Sequence, residues 1–267
     1  MSGAGETVNP MPSSNTLPET TQGTLLGGRV VYRQFRQGYR TGIEPVLLAA
    51  LIPAREGDYV LEGGCGAGAG LLCLNARVGG LRGIGLEADP ATVTLARVNF
   101  ALNDVAGLLD ALPARLPALP DGLRTHAPMP NGRFHHSFAN PPWHRADFTP
   151  SPESRRRLAL SAPTEGWTSW IATLARWTAP GGTLSLALPA AATEDALPAL
   201  GAAGCGSIVL FPLWPKQGVP ARLVLLRATI GGRGAFRLAS GLVLHETDGS
   251  FTAEAQAILR DGRSIML

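Results

Sequence analysis

Asn140-Pro141-Pro142-Trp143 is the run in this chain whose residue types most directly imply a reaction. An exocyclic amine conjugated to a planar ring or carbonyl is a poor nucleophile, because its lone pair is delocalised. Two acceptors placed beside such an NH2 group draw on both N–H bonds. The nitrogen then becomes more tetrahedral and turns its lone pair toward an electrophile. Asn140 offers a side-chain carbonyl for this task and Pro141 its backbone carbonyl. The prolines stiffen the backbone and remove competing N–H donors. Trp143 offers a flat face on which a flipped base can stack. Such a site works by alignment and aimed dipoles, with no need of a metal or a strong base. The plainer alternative is a rigid turn with a core tryptophan; against it stands the motif's place at the carboxyl end of an expected strand, where α/β sheets bind ligands.

A second cluster lies upstream, in Glu62-Gly63-Gly64-Cys65-Gly66-Ala67-Gly68. An acid is followed by glycine at alternate positions. Glycines permit positive φ angles and let backbone lie against a ligand at a helix start. The run is out of register with the GxGxxG dinucleotide fingerprint, which argues against NAD. Glu62 is a candidate acceptor for a ligand ammonium group. Glu87, at the end of the next expected strand, is placed to accept from both hydroxyls of a ribose. Asp89 and Asp110 are further acids expected near the same pocket. A tight loop with no ligand is the alternative reading of the glycines alone.

The elements that must position these residues alternate. Strands are expected at 29–35, Tyr59–Glu62, Arg82–Glu87, Phe134–Ala139, Thr183–Leu188, Ser207–Phe211 and Arg222–Thr229, with a short one near Gly107–Leu109. Helices are expected at Glu44–Leu51, Ala69–Val78, from Pro90 to about Asn103 with Asp89 as cap, Thr164–Thr178 with Pro180-Gly181-Gly182 as its stop, Glu194–Gly201 and near Thr252–Arg260. Strands separated by helical segments imply βαβ units. The expected fold class is α/β: a Rossmann-like, mostly parallel seven-stranded sheet with helices on both faces. The expected organisation is a disordered tail over 1–24 and a single domain over 25–267. That domain comprises an N-terminal lead-in segment (25–57), a core (58–230) and a C-terminal extension (231–267).

Bulk composition bounds the rest. The chain has 267 residues, with 45% apolar and 16% charged residues, which suits a globular enzyme with a sizeable core. The net charge of +3 is compatible with a nucleic-acid partner without requiring one. Lys216 is the only lysine, so nearly all the basic charge is arginine. A GC-rich genome accounts for that, and so does phosphate recognition by guanidinium forks. Cys65, Cys73 and Cys205 form no ligand pattern, which fits reduced thiols and a cytoplasmic location. No apolar run reaches the 18 residues of a membrane span, and the first 24 residues lack the apolar region of a signal peptide. Arg29, Arg33, Arg36 and Arg40 interleave with Tyr32, Phe35 and Tyr39, a pattern that suits RNA or a solvated strand face. Arg155-Arg156-Arg157 could follow an RNA backbone or sit in a charged loop. Trp167, Trp170 and Trp177 have helical spacing and are expected in the core. His135 and His136 are neighbours on a strand, point to opposite faces and receive no role.

These residues carry a family resemblance. From about Phe35 to the C-terminus the chain resembles the class I S-adenosylmethionine-dependent methyltransferases of the small-domain type, in particular the bacterial tRNA(Val) adenine-N(6) methyltransferases. Gln37-Gly38-Tyr39-Arg40-Thr41-Gly42 with Leu47-Leu48-Ala49-Ala50 is similar to the family's opening segment, and Val60 to Gly68 to its cofactor loop. Gly85-Leu86-Glu87 and Ala96-Arg97-Val98-Asn99 are similar to the ribose-binding strand end and the helix after it. Leu242–His245 and Phe251-Thr252-Ala253-Glu254-Ala255 resemble the tail. The chain departs from the pattern at Glu44, Glu62 and His135, where Asp is commoner, and at Trp143, where Tyr is usual.

The resemblance implies S-adenosylmethionine as cofactor and S-adenosylhomocysteine as product. It implies cofactor contacts at Tyr39, Thr41, Glu62, Gly63, Gly64, Cys65, Gly66, Gly68, Glu87, Ala88, Asp110 and Asn140, and catalytic roles for Asn140, Pro141, Pro142 and Trp143. The implied reaction is methylation of the exocyclic amine of adenine in RNA, with tRNA as the expected partner and no metal or membrane. Methylation of a protein glutamine amide, methylation of guanine in rRNA, and a non-catalytic module that binds S-adenosylmethionine or RNA remain as alternatives.

Overall fold

The computed structural model describes residues 17–38, 40–120, 122–123, 132–142, 166 and 168–267. Tyr39, Trp143, Arg155, Arg156, Arg157 and Trp167, all named above, lie outside the described residues.

A strand buried on both faces needs apolar residues in succession rather than in alternation. Strand β3 (Tyr59–Gly63) is such a run, and its Val60 and Leu61 have no exposed surface. It pairs in parallel with β4 (Arg82–Glu87) on one side and with β6 (Phe134–Ala139) on the other. Beyond β4 lies β5 (Leu109–Pro113), also parallel. Beyond β6 lies β7 (Thr178–Pro189), parallel to it, then β9 (Leu223–Ile230), antiparallel, then β8 (Cys205–Trp214). Seven strands thus run in the order β8-β9-β7-β6-β3-β4-β5, with two-residue strands β10 (Arg237–Leu238) and β11 (Leu242–Val243) along the outer edge of β8. The chain moves outward from β3 to β5, then returns to the other side of β3 to form β6. That reversal makes the carboxyl ends of β3 and β6 the topological switch point, where open α/β sheets take ligands.

Helices α1 (Glu44–Leu51), α2 (Ala69–Val78) and α3 (Pro90–Leu102) share one apolar cluster on one face of the sheet. Helices α4 (Thr168–Trp177) and α5 (Thr193–Ala202) pack into a second cluster. The short α6 (Ala253–Leu259) packs on α1. The starts of two of these helices follow from local chemistry: Asp89 accepts from the Thr92 N–H at α3, and Thr252 accepts from the Ala255 N–H at α6. None of the helices in the described residues is long and apolar enough to cross a membrane.

Some elements differ from the sequence expectation. Thr20–Leu25 is a strand, β1, paired antiparallel with β2 (Val30–Phe35), where a disordered tail was expected to run to residue 24. Its TTQGTL sequence has almost no apolar alternation, so only its partner reveals it. Strand β5 lies two residues later than expected, and β7 begins at Thr178 and so takes in Pro180-Gly181-Gly182. A register shift between Phe134 and His136 accommodates that run.

Candidate active site

The glycine turn joins β3 to α2. Gly64, Gly66 and Gly68 have φ of 66°, 53° and 86°, the left-handed region that an L side chain enters at a cost of about 1–2 kcal/mol. Space adds a second restriction at two of them. A Cβ on Gly68 would stand 2.5 Å from the Phe100 ring, and one on Gly64 would stand 2.9 Å from the Trp170 ring. Gly66 differs, with nothing within 4 Å of the corresponding position. The turn is therefore packed from below at its ends and open at its middle.

Two carboxylates, one buried and one half-buried, hold this turn. Glu62, 4% exposed, accepts from the Leu71 N–H at 3.1 Å, in the first turn of α2. Glu87 accepts from the Gly66 N–H at 3.0 Å with one oxygen and from the Asp89 N–H at 2.9 Å with the other. Burial raises the pKa of both, that of Glu62 well above its ordinary value, and the backbone N–H donors oppose that rise. Among the described residues no basic side chain forms a salt bridge with either acid. Cys65 is a buried thiol packed on Gly85, its pKa raised by the same burial, and its N–H donates to the Leu86 carbonyl at 3.0 Å.

The Asn-Pro-Pro run begins beside this turn. Gly63 and Ala139 are partners in register at the ends of β3 and β6, so Asn140 leaves the sheet beside the start of the glycine turn. Its Oδ1 is buried and accepts no hydrogen bond among the described residues. A buried carbonyl without a donor costs roughly 1–3 kcal/mol, so this oxygen suits a ligand that brings an N–H. Pro141 is buried and Pro142 half-buried. The indole N–H of Trp170, whose ring lies against Gly64, and Oε2 of Glu44, at the start of α1, are likewise buried and unpartnered among the described residues. The unused Asn140 acceptor and Trp170 donor thus stand beside an open, glycine-lined turn, which fits a polar ligand better than an apolar one.

The residues that secure the turn were not recognised as such from sequence. Asn99, fully buried on α3, donates to the Ala67 carbonyl at 2.9 Å and to the Arg33 carbonyl at 2.8 Å, and accepts from the Arg33 N–H at 2.8 Å. One turn later, Asn103 accepts from the Val31 N–H and donates to the Val31 carbonyl. Two amides at i and i+4 therefore imitate a strand edge and attach β2 to α3 and to the glycine turn. Their only sequence signal was the place of Asn99 in the run that resembles the family. Tyr32 and Phe35, expected as possible stacking faces, are 3% and 8% exposed and belong to the core. The Tyr32 hydroxyl meets Thr41 Oγ1 at 2.9 Å, while the Thr41 N–H donates to Gln34.

Other candidates already have partners within the fold. Asp110 pairs in register with Ile84, three residues before the level of Glu87, and its carboxylate is taken by Arg97 at 2.8 Å and by the Ala111 N–H. Asp89 is the cap of α3, and Ala88 lies between it and Glu87. His135 Nδ1 accepts from the Tyr59 N–H at 2.9 Å and so has no proton for Asp58, 3.5 Å away. His136 reaches the same Asp58 at 3.3 Å, so the two rings meet one acid although they leave the strand on different faces. No cluster that could hold a metal ion occurs among the described residues.

No family model matches the chain. It is 26% identical over 250 residues to the tRNA1(Val) (adenine(37)-N6)-methyltransferase of Dickeya chrysanthemi, across 89% of this chain and 94% of that protein. Among solved structures it is similar to a predicted O-methyltransferase of Agrobacterium tumefaciens, with a TM-score of 0.66 and 24% identity over 84% of this chain and 98% of the other. It also superposes on an S-adenosylmethionine-dependent O-methyltransferase of Thermotoga maritima, with a TM-score of 0.50 and 16% identity over 74% and 69% of the two chains. The two structures share its fold.

Proposed function

We propose that this chain, a class I S-adenosylmethionine-dependent methyltransferase, methylates the exocyclic amine of an adenine in RNA, with tRNA as the substrate class. The observation that carries the reading is the buried, unpartnered Oδ1 of Asn140 beside the glycine turn. The adenine substrate of the Dickeya chrysanthemi relative supports the choice of amine.

In this reading Gly64–Gly68 forms the floor under the cofactor, open at Gly66, and Glu87 takes the ribose hydroxyls with the lone pairs its two N–H donors leave free. Glu62 and Glu44 are the acceptors for the ammonium end, whose positive charge would favour their ionised forms. S-adenosylmethionine, when bound, contributes a methyl group made electrophilic by its sulfonium. Asn140 and the Pro141 carbonyl each hold one N–H of the target amine, and the nitrogen lone pair is freed from the ring. The amine proton that is lost leaves to water. Glu62 and Glu87 act by charge and hydrogen bonding, with no role as bases.

The test is tritiated methyl transfer from S-adenosylmethionine to bulk tRNA, with nucleoside analysis of the product. N6-methyladenine is expected. Label in glutamine of bulk protein, or in guanine, would overturn the adenine reading. Asn140→Ala should lower the rate about a hundredfold or more, corresponding to roughly 3 kcal/mol for one aimed group, while cofactor affinity stays near the parent's. Asn140→Asp keeps an acceptor and should retain measurable activity. If both variants work at the parent rate, the motif is structural.

A further inference from the structure

We propose that the β1–β2 hairpin, through Arg33, Arg36 and Arg40, is the surface that receives the phosphate backbone of the RNA. This rests on the RNA reading above.

Charge is the first ground. Residues 17–40 hold four arginines, at 29, 33, 36 and 40, against one acid, Glu19, a net +3. The whole chain also has a net charge of +3, so the remaining residues balance to zero. The hairpin and the segment that leaves it are thus a basic unit, as is the run 196–245, with five basic residues and no acid.

The state of those guanidinium groups is the second ground. Arg33 donates to the amide oxygen of Gln22 at 3.0 Å, and Arg40 to the Thr21 hydroxyl at 3.0 Å. Both partners are neutral. They orient the guanidinium group and leave its charge uncancelled. Arg36 has Glu19 at 3.3 Å, but their side chains are 65% and 82% exposed, and a pair so solvated binds weakly and can exchange its acid for a phosphate. Arg29 is different: it donates to the Leu26 and Arg260 carbonyls and serves the fold.

Position is the third ground. The backbone of Arg33 is tied through the single side chain of Asn99 to Ala67 of the glycine turn. The hairpin therefore stands beside the candidate site, fixed to the same support, at the end of the sheet where Asn140 lies. The buried rings of Tyr32 and Phe35 anchor it and leave the arginines outward. A nucleotide inserted toward Asn140 brings its flanking phosphates past this rim. Fixed guanidinium groups there set the register of the strand without reading its sequence.

The experiment compares the parent, the double variant Arg33→Gln/Arg40→Gln, and Arg82→Gln on the full chain. Arg82 is an exposed arginine at the opposite, amino end of β4, so it controls for the loss of charge alone. The probe is bulk tRNA, with affinity measured over a series of salt concentrations. Each phosphate neutralised contributes about 0.7–0.9 to the slope of log K against log salt. The double variant should therefore have a slope shallower by roughly 1.4–1.8, while Arg82→Gln keeps the parent slope. Cofactor affinity by calorimetry should be unchanged in both, which shows an intact fold and turn. A double variant with the parent slope overturns the hairpin as the RNA surface and leaves the methylation reading standing. A parent that neither binds tRNA nor methylates it overturns the RNA reading and this surface with it.

Discussion

Asn99→Ala tests whether two side-chain amides really hold the site together. The parent side chain is fully buried and satisfies three backbone groups: the N–H and C=O of Arg33 and the C=O of Ala67. Alanine deletes all three bonds and leaves their partners behind. A neutral hydrogen bond contributes about 1 kcal/mol net, and a buried group left without a partner costs about 1–3 kcal/mol. The two Arg33 groups are partly buried, so water recovers some of their loss; the Ala67 bond is buried, so its carbonyl takes the larger penalty. The sum is about 3–5 kcal/mol, or a fall in Tm of roughly 6–20 °C for a chain of this size. Asn99→Asp should be at least as damaging. It keeps the acceptor for the Arg33 N–H but turns a carboxylate oxygen toward two carbonyls. Urea denaturation gives the stability change, and calorimetry with S-adenosylhomocysteine gives the second readout, where a loosened Ala67 should weaken binding about tenfold, or roughly 1.4 kcal/mol. Asn103→Ala, whose bonds are all partly buried, should cost less. If Asn99→Ala lost under about 1 kcal/mol and bound the product as tightly as the parent, the amides would be incidental and β2 would be held by its apolar side chains alone.

Three further outcomes are expected. Glu87→Ala should weaken S-adenosylhomocysteine binding roughly tenfold to a hundredfold by calorimetry, since hydrogen bonds to a charged group contribute about 1.5–3 kcal/mol; an unchanged affinity would remove Glu87 from the ribose. Gly68→Ala should destabilise the fold by about 2–4 kcal/mol in urea, combining the left-handed backbone cost with overpacking against Phe100; Gly68→Ala paired with Phe100→Leu should recover only the packing part. His136 is pushed down from 6.5 to about 4 by burial. Its contribution to stability is full above pH 6.5 and is lost as pH falls toward 4, by up to roughly 3 kcal/mol. His136→Gln should lack that part of the acid dependence, and equal pH profiles in denaturation would refute it.

Much of the site was legible because its chemistry is local. The two acids end expected strands and the glycine turn and Asn140 each follow one, and the pairings of β3 with β4 and β6 bring them to one edge as a parallel sheet must. What was hidden depends on partners far along the chain. Strand β1 is polar and is defined by its pairing with β2. Asn99 is a mid-helix polar residue whose three partners lie 32 and 66 positions away. The Arg97 partner of Asp110 was hidden in the same way, since it stands thirteen positions away on α3. Trp170 was expected in the core and is there, yet its ring lies against Gly64, which periodicity could not show.

The turn of the β1–β2 hairpin meets the segment that follows α6. Gly27, with a φ of 63°, faces the Arg260 carbonyl so closely that a Cβ would stand 2.9 Å from it, and the Ile265 N–H donates to Ala50. During vectorial synthesis the hairpin and α3 emerge early and can join through Asn99 and Asn103 while the rest is still being made. The surface against which Gly27 and α1 close does not yet exist. The rim of the site is therefore among the first parts to be made and among the last to be locked. A ribosome stalled short of Arg260 would carry a nearly complete sheet whose β1–β2 hairpin is held through α2 and α3, with its turn uncovered and open to proteases until residues 260–265 arrive.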